Sequence, residues 1–226
     1  MKVLIFLGSI RDSQPPRPAR VGLRVAKAIK QHFEAKHPEV AAELIDPLDF
    51  DCEKVFKPHF AYAQGRAPQA LESLADKIRH ADAYVMVSPE YNHSMSPALA
   101  HMLNHFGSSL FAYKPSLIVT YSAGQWGGVR AAVAMRAFLS ELGCLPVSAM
   151  IHLPHAPEVL DESGQFAVHK DSARWATYFH RGTVQLAWWA QATRDHRIKV
   201  DPHALIENFT KSPAQRNAPG NKVSQD

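Results

Sequence analysis

Val85-Met86-Val87-Ser88-Pro89-Glu90-Tyr91-Asn92-His93-Ser94-Met95-Ser96-Pro97 decides the fold, because an apolar strand runs straight into a polar, aromatic turn that opens a helix. Turns of that kind, at the carboxyl ends of strands, are where open α/β sheets bind ligands. The arrangement occurs twice more. Lys2 to Leu7 ends in Gly8-Ser9-Ile10-Arg11, and Leu117 to Tyr121 ends in Ser122-Ala123-Gly124-Gln125-Trp126-Gly127-Gly128. Three such turns at three strand ends describe one continuous crevice.

Around these turns the chain alternates strand and helix. Lys2 to Leu7 is nearly all apolar, as a strand covered on both faces should be, and belongs in the sheet centre. Apolar residues at Val21, Val25, Ile29 and Phe33 predict a helix from about Ala19 to Pro38. A short second strand at Glu43 to Asp46 leads into a long loop up to Pro68, whose Phe56, Phe60 and Tyr62 read as local packing. Leu71, Leu74, Ala75 and Ile78 mark the next helix, Ala83 to Ser88 the third strand, and Ser96-Pro97 a capped start for a helix to Phe106. The fourth strand, an alanine-rich helix from Val129 to Leu142 stopped by Gly143, and a fifth strand at Pro146 to Ile151 complete the series. Strands alternating with helices predict a parallel α/β sandwich. A turn-rich loop from Pro154 and a long helix at Ser172 to Ala192 should close the second face, with Trp188 and Trp189 in core or dimer packing. Residues 1–192 read as one domain and 193–226 as an extension, disordered beyond about Phe209 by composition.

Composition narrows the function classes. Of 226 residues, 46% are hydrophobic and 20% charged, which is ordinary for a globular protein. The formal charge of +4 comes without a long Lys/Arg run, so a nucleic-acid partner is not expected. No apolar run approaches the roughly twenty residues of a membrane helix. Two cysteines and no charged, apolar leader point to a reducing, cytoplasmic setting.

The basic residues gather in one place. Arg11, Arg17 and Arg20 crowd the loop after the first strand, where Ser9 and Ser13 add hydroxyls and the following helix start adds amides and its dipole. A phosphate fits there. The loop lacks both the Gly-x-Gly-x-x-Gly of dinucleotide folds and the Gly-Lys-Ser/Thr of a P-loop, which argues against a nucleoside triphosphatase. Pro89, Glu90, Tyr91, Asn92 and Ser94 offer backbone donors and a ring as a wall for a flat heteroaromatic group. Gly124, Gly127 and Gly128 would permit close backbone approach from the other side. A flavin mononucleotide (FMN) needs a phosphate socket, an edge of backbone donors and one open ring face.

Other candidates read as structural. His101 and His105 stand four apart on a helix without a third ligand at a recognisable spacing, so among thirteen histidines surface or interface positions explain them better, and His152 and His155 are treated likewise. Glu90 could be a general base, yet its place in the turn suits backbone-fixing hydrogen bonds equally well, and Cys144 reads as buried packing.

The motifs then resemble the NADPH-dependent FMN reductase family of flavodoxin-like proteins, which includes quinone, azo-dye and chromate reductases. Its Gly-Ser-x-Arg pattern appears as Gly8-Ser9-Ile10-Arg11, its Pro-Glu-Tyr-Asn motif as Pro89-Glu90-Tyr91-Asn92 with Ser94, Ser96 and Pro97, and its glycine-rich third turn as Ser122 to Gly128, over a span from Met1 to about Ala192. The resemblance implies a five-stranded parallel sheet of order 2-1-3-4-5 with FMN at the switch point. It implies that Ser9, Arg11, Ser13 and Arg17 hold the phosphate, that Pro89 to Asn92 with Ser94 border the ribityl chain and ring, and that Ser122, Gly124, Trp126, Gly127 and Gly128 approach the pyrimidine edge. It implies hydride transfer from NADPH or NADH to flavin N5 and on to a small acceptor such as a quinone or free flavin. No protein acid or base is required, because the cofactor carries the chemistry. A homodimer or tetramer is also implied, although Leu99-Ala100-His101 and Asn104 replace a charge pair that many relatives use between subunits. A flavodoxin-like electron carrier, or an interaction protein without flavin, are the competing readings.

Overall fold

The computed structural model describes residues 1–11, 13, 16–50 and 56–205. In chain order the elements are β1 (Lys2–Leu7), α1 (Val21–Lys36), β2 (Ala41–Ile45), α2 (Gln69–His80), β3 (Ala83–Pro89), α3 (Pro97–Asn104), α4 (Ser108–Phe111) and β4 (Pro115–Tyr121). They continue with α5 (Val129–Glu141), β5 (Leu145–Pro146), β6 (Ile151–Leu153), α6 (Ala156–Val159), α7 (Ser172–Lys199) and α8 (Pro202–Leu205). The sheet is parallel in the order β2-β1-β3-β4-β5, with β6 also pairing β4. The strand order reverses between β1 and β3, which places the switch point beside the first two of the three turns.

Strand periodicity divides the core in two. Val3, Ile5, Leu7, Val85, Val87, Leu117 and Val119 pack under α1 and α7, while Leu4, Phe6, Tyr84, Met86 and Ile118 pack under α2, α3, α4 and α5. Successive side chains on a strand point to opposite faces, so an almost unbroken apolar run requires a cover on each side. The predicted helix positions Leu71, Leu74, Ala75 and Ile78 are all buried. Ser96 caps α3 by accepting a hydrogen bond from the Leu99 amide at 3.2 Å.

Two expectations are corrected. The fifth strand is not continuous from Pro146 to Ile151 but splits into β5 and β6. Side chains take the backbone groups in between: Arg136 donates to the Val147 carbonyl at 2.9 Å, and the Ala149 amide donates to Gln185 Oε1 at 2.7 Å. Those groups are satisfied without a ladder partner. Helix α7 runs to Lys199 rather than Ala192, and Arg197 ties its last turn to the Tyr113 carbonyl at 2.9 Å. Phe179 and Leu186 on α7 are buried, whereas Trp188 and Trp189 are 63% and 44% exposed and lie outside the core of this chain. The tail expected to be disordered beyond about Phe209 lies outside the described residues. No described helix is long and apolar enough to cross a membrane.

Candidate functional site

The first turn is held by a buried ion pair. Arg20, expected among the anion-binding cations, instead donates to the Ser9 carbonyl and pairs with Asp46 at the end of β2. Its side chain is only 4% exposed, and a buried charge is tolerated because it is paired and hydrogen-bonded. Arg20 therefore braces the loop and also lines the cavity beside it. Gly8 is required by packing, since a Cβ there would lie 2.6 Å from the Val87 carbonyl and 2.9 Å from Ser96 Oγ. This contact seats the first turn directly on the start of the second.

Above the brace lies a cavity of about 500 Å³. Ser9, Arg11 and Arg17 line it from the first loop, Gly22 from the start of α1, Pro89, Glu90 and Tyr91 from the second turn, and Tyr121 and Ser122 from the third. No side chain caps the N-terminus of α1, which opens beside this cavity. Ser9 Oγ is buried and sits beside the Tyr121 hydroxyl against Gly22, where the two oxygens face the start of α1. Burial pushes the Tyr121 hydroxyl up to about 12, so it stays a neutral donor at the cavity wall. Ser13 is half-buried in the same loop but is not among the residues lining the cavity.

The second turn has a geometry that sequence reasoning did not anticipate. Tyr91 and Ser94 exchange backbone hydrogen bonds of 3.0 and 2.9 Å, with Asn92 at φ 50° and His93 at φ 60° between them. Two central residues with positive φ define the tight turn of mirror-image type, for which Asn is suited and His is not. Ser94 thus closes the turn through its backbone, and Asn92 is exposed at the tip. Glu90 reaches across to α5, where Oε2 accepts from the Ala131 amide at 3.4 Å and Oε1 lies 3.8 Å from Arg130. It anchors the turn to a helix N-terminus, in line with the backbone-fixing expectation.

The third turn is built on its glycines and Ser122. Only Gly124 faces open space; Cβ atoms on Gly127 and Gly128 would strike Pro154, at 3.0 Å, and Thr120, at 2.8 Å. Both glycines have positive φ, so they serve the turn and its packing on the sheet end. Ser122 Oγ donates to the Gly124 carbonyl at 2.7 Å and accepts from the Gly127 amide at 2.9 Å. Trp126 is 57% exposed, with the Arg130 guanidinium 5.0 Å from its ring.

Cys144 is buried as expected, whereas His105, expected at a surface or interface, is buried within the chain. His101 and His105 approach through their Nε2 atoms at 3.4 Å and pack against Phe56. His152 Nδ1 meets Thr120 Oγ1 at 2.8 Å. Cys144 is buried, and burial pushes its thiol up to about 12, which rules out a thiolate nucleophile near neutral pH.

Comparison with known proteins agrees with this geometry. The sequence pattern of the NADPH-dependent FMN reductase family matches residues 1–158. Similar sequences include an NADPH azoreductase of a Bacillus species, 32% identical over 140 residues that cover 62% of this chain and 69% of that protein. An NAD(P)H-dependent FMN reductase of Pseudomonas aeruginosa is 35% identical over 172 residues, 74% of this chain and 80% of that one. In structure, the fold resembles the flavoenzyme NAD(P)H:(acceptor) oxidoreductase FerB of Paracoccus denitrificans, with a TM-score of 0.63 at 19% identity over 84% of this chain and 97% of that chain.

Proposed function

Because the chain belongs to the NADPH-dependent FMN reductase family, we propose that it transfers hydride from NAD(P)H through bound FMN to a small acceptor such as a quinone or free flavin. The observation that carries the reading is the cavity at the switch point, where Arg11, the buried Ser9 Oγ and the Tyr121 hydroxyl converge on the uncapped start of α1. Backbone amides at a helix start without a side-chain cap favour an anion, and a phosphate would supply it. The donor set fits FMN.

In this reading Ser9, Arg11, Ser13 and Arg17 bind the phosphate, and the Arg20–Asp46 brace holds their loop in register. Pro89 to Asn92 border the ribityl chain and ring, with Ser94 and Glu90 fixing that turn from behind. Ser122 and Gly124 offer the third wall, Gly127 and Gly128 shape it, and Trp126 stands at its rim. Bound flavin supplies a two-electron carrier that accepts hydride at N5 and passes it on. The protein's part is to orient the reactants in turn over one open face and to keep charge complementary at the phosphate end. Glu90 is engaged with α5 and is not needed as a base.

We further propose a cytoplasmic homodimer or tetramer, a reading supported by the exposed Val184, Trp188 and Trp189 on α7. Light scattering checks the assembly.

The decisive experiment is visible absorbance of protein loaded with FMN, washed free of unbound flavin and followed anaerobically after NADPH is added. Retained yellow colour that bleaches within the mixing time is the expected result. Colour that persists would make the protein an electron carrier, and no retained colour would end the flavin reading.

A further inference from the structure

At the opposite end of α1 lies a group of side chains that flavin chemistry does not use. α1 carries His32 near its last turn and is ended by His37, while α7 brings His180 alongside. One ring nitrogen from each histidine lies within 4.8 Å of the other two. The rings of His37 and His180 are 5.4 Å apart and nearly parallel, and His32 is 5.8 Å from His180. His32 and His37 are 8% and 6% exposed, whereas His180 faces solvent, so the group has a buried floor and an open mouth.

Two further observations point to a ligand. His32 Nε2 is buried and has no hydrogen-bond partner among the described residues, an arrangement that costs stability unless something occupies it. His37 Nδ1 lies 3.6 Å from Glu39 Oε1, and a carboxylate behind the far nitrogen of a ring is the usual support of a metal-bound histidine. The Thr183 hydroxyl, 3.3 Å from His37 Nε2, also lies 3.4 Å from the His180 carbonyl and can turn to it when that nitrogen is taken.

We propose that His32, His37 and His180 form a binding site for a divalent first-row transition metal of the zinc type. Three imidazoles and no oxygen ligand suit zinc over magnesium or calcium, and a fourth position at the open mouth would hold water. His32 lies eleven residues into α1, roughly 16 Å from the helix start beside the cavity at 1.5 Å per residue, so the metal would staple α1 to α7 and take no part in hydride transfer.

Tagless protein stripped with a chelator provides the test. Zinc at ten to a hundred micromolar should raise the midpoint of thermal unfolding by about 5 °C, with one equivalent bound by calorimetry. Cobalt in its place should give visible d–d bands of a four-coordinate site. His180→Ala, which alters an exposed side chain, should weaken zinc binding about 100-fold or more and abolish the cobalt bands, and His32→Gln should do the same. His101→Ala should bind zinc as the parent does. The absence of a zinc-dependent shift in the parent, or a shift and bands that survive both His180→Ala and His32→Gln, would overturn the assignment. Each readout is independent of flavin loading, so the reductase reading stands or falls separately.

Discussion

Arg11 and Arg20 belong to one loop, and burial alone gives them opposite tasks. Arg11 is exposed at the cavity, so Arg11→Ala should leave thermal stability within about 1 °C of the parent while weakening FMN binding about tenfold, the worth of one charge-assisted hydrogen bond near solvent. Fluorescence titration with FMN checks it, and unchanged affinity would remove Arg11 from the phosphate site. Asp46→Asn acts on the other arginine. It keeps the Oδ1 that accepts from the Leu48 amide at 3.0 Å but leaves the Arg20 guanidinium without its charge partner. With Asp46 18% exposed, the cost should be about 2 kcal/mol, or roughly 4–8 °C in Tm, read by calorimetry. Gly8-Ser9-Ile10-Arg11 and Pro89-Glu90-Tyr91-Asn92 were legible in the sequence because each places its chemistry within a few consecutive residues. The task of Arg20 was not, since its partner stands 26 positions away. The same limit hid the histidine group, whose third member arrives on a helix far along the chain.

At the scale of elements, apolar runs announced β1, β3 and β4, and helical spacing announced α1, α2 and α5, because burial on a fixed period leaves its mark in composition. The fifth strand carried the same mark and yet broke, because Arg136 and Gln185 satisfy its backbone from the side; no periodicity records a side chain reaching in from another helix. Lys114 is a second such link. Its ammonium donates to the Ile78 and Arg79 carbonyls, both at 2.8 Å, and to the Leu110 carbonyl at 3.1 Å, which fastens the end of α2 to the approach to β4. Burial lowers Lys114 from 10.5 to about 7, with Arg197 and Arg79 adding to the shift and Asp82 opposing it. Above pH 7 the folded side chain is neutral while the unfolded one still holds its proton, so the unfolded chain binds more protons and stability rises with pH. The gain should be about 2 kcal/mol between pH 7 and 9, less than the two full units allow because three carbonyls favour the ammonium. Above pH 9 the Cys144 thiol works in the other direction, since only the unfolded chain releases that proton. Denaturant titrations across this range should show the rise, and Lys114→Met should flatten it; a parent protein with no slope between pH 7 and 9 would count against the buried charge.

For the whole molecule, the question is which part of the chain completes the fold. The family pattern ends at residue 158, and the cavity is assembled from residues before it. α7 nevertheless supplies Phe179, Leu186 and Ala190 to the core beneath α1, and Gly182 allows it to lie so close that a Cβ there would be 3.0 Å from Ile151 and 3.1 Å from Leu117. The face of the sheet formed by Leu117, Val119 and Ile151 would be bare without this helix. A large apolar face left uncovered does not stay in solution as a native structure. A chain ended after Phe166 should therefore aggregate or lose its cooperative unfolding transition even though every residue proposed to touch flavin is present. One ended after Leu205 should keep the transition, bind FMN as the full chain does and bleach with NADPH at the same rate. Calorimetry and flavin titration on the two truncations separate the possibilities. If the shorter chain folded and retained flavin, the cover over that face would be dispensable and α7 would have to be explained by the metal site or by assembly instead.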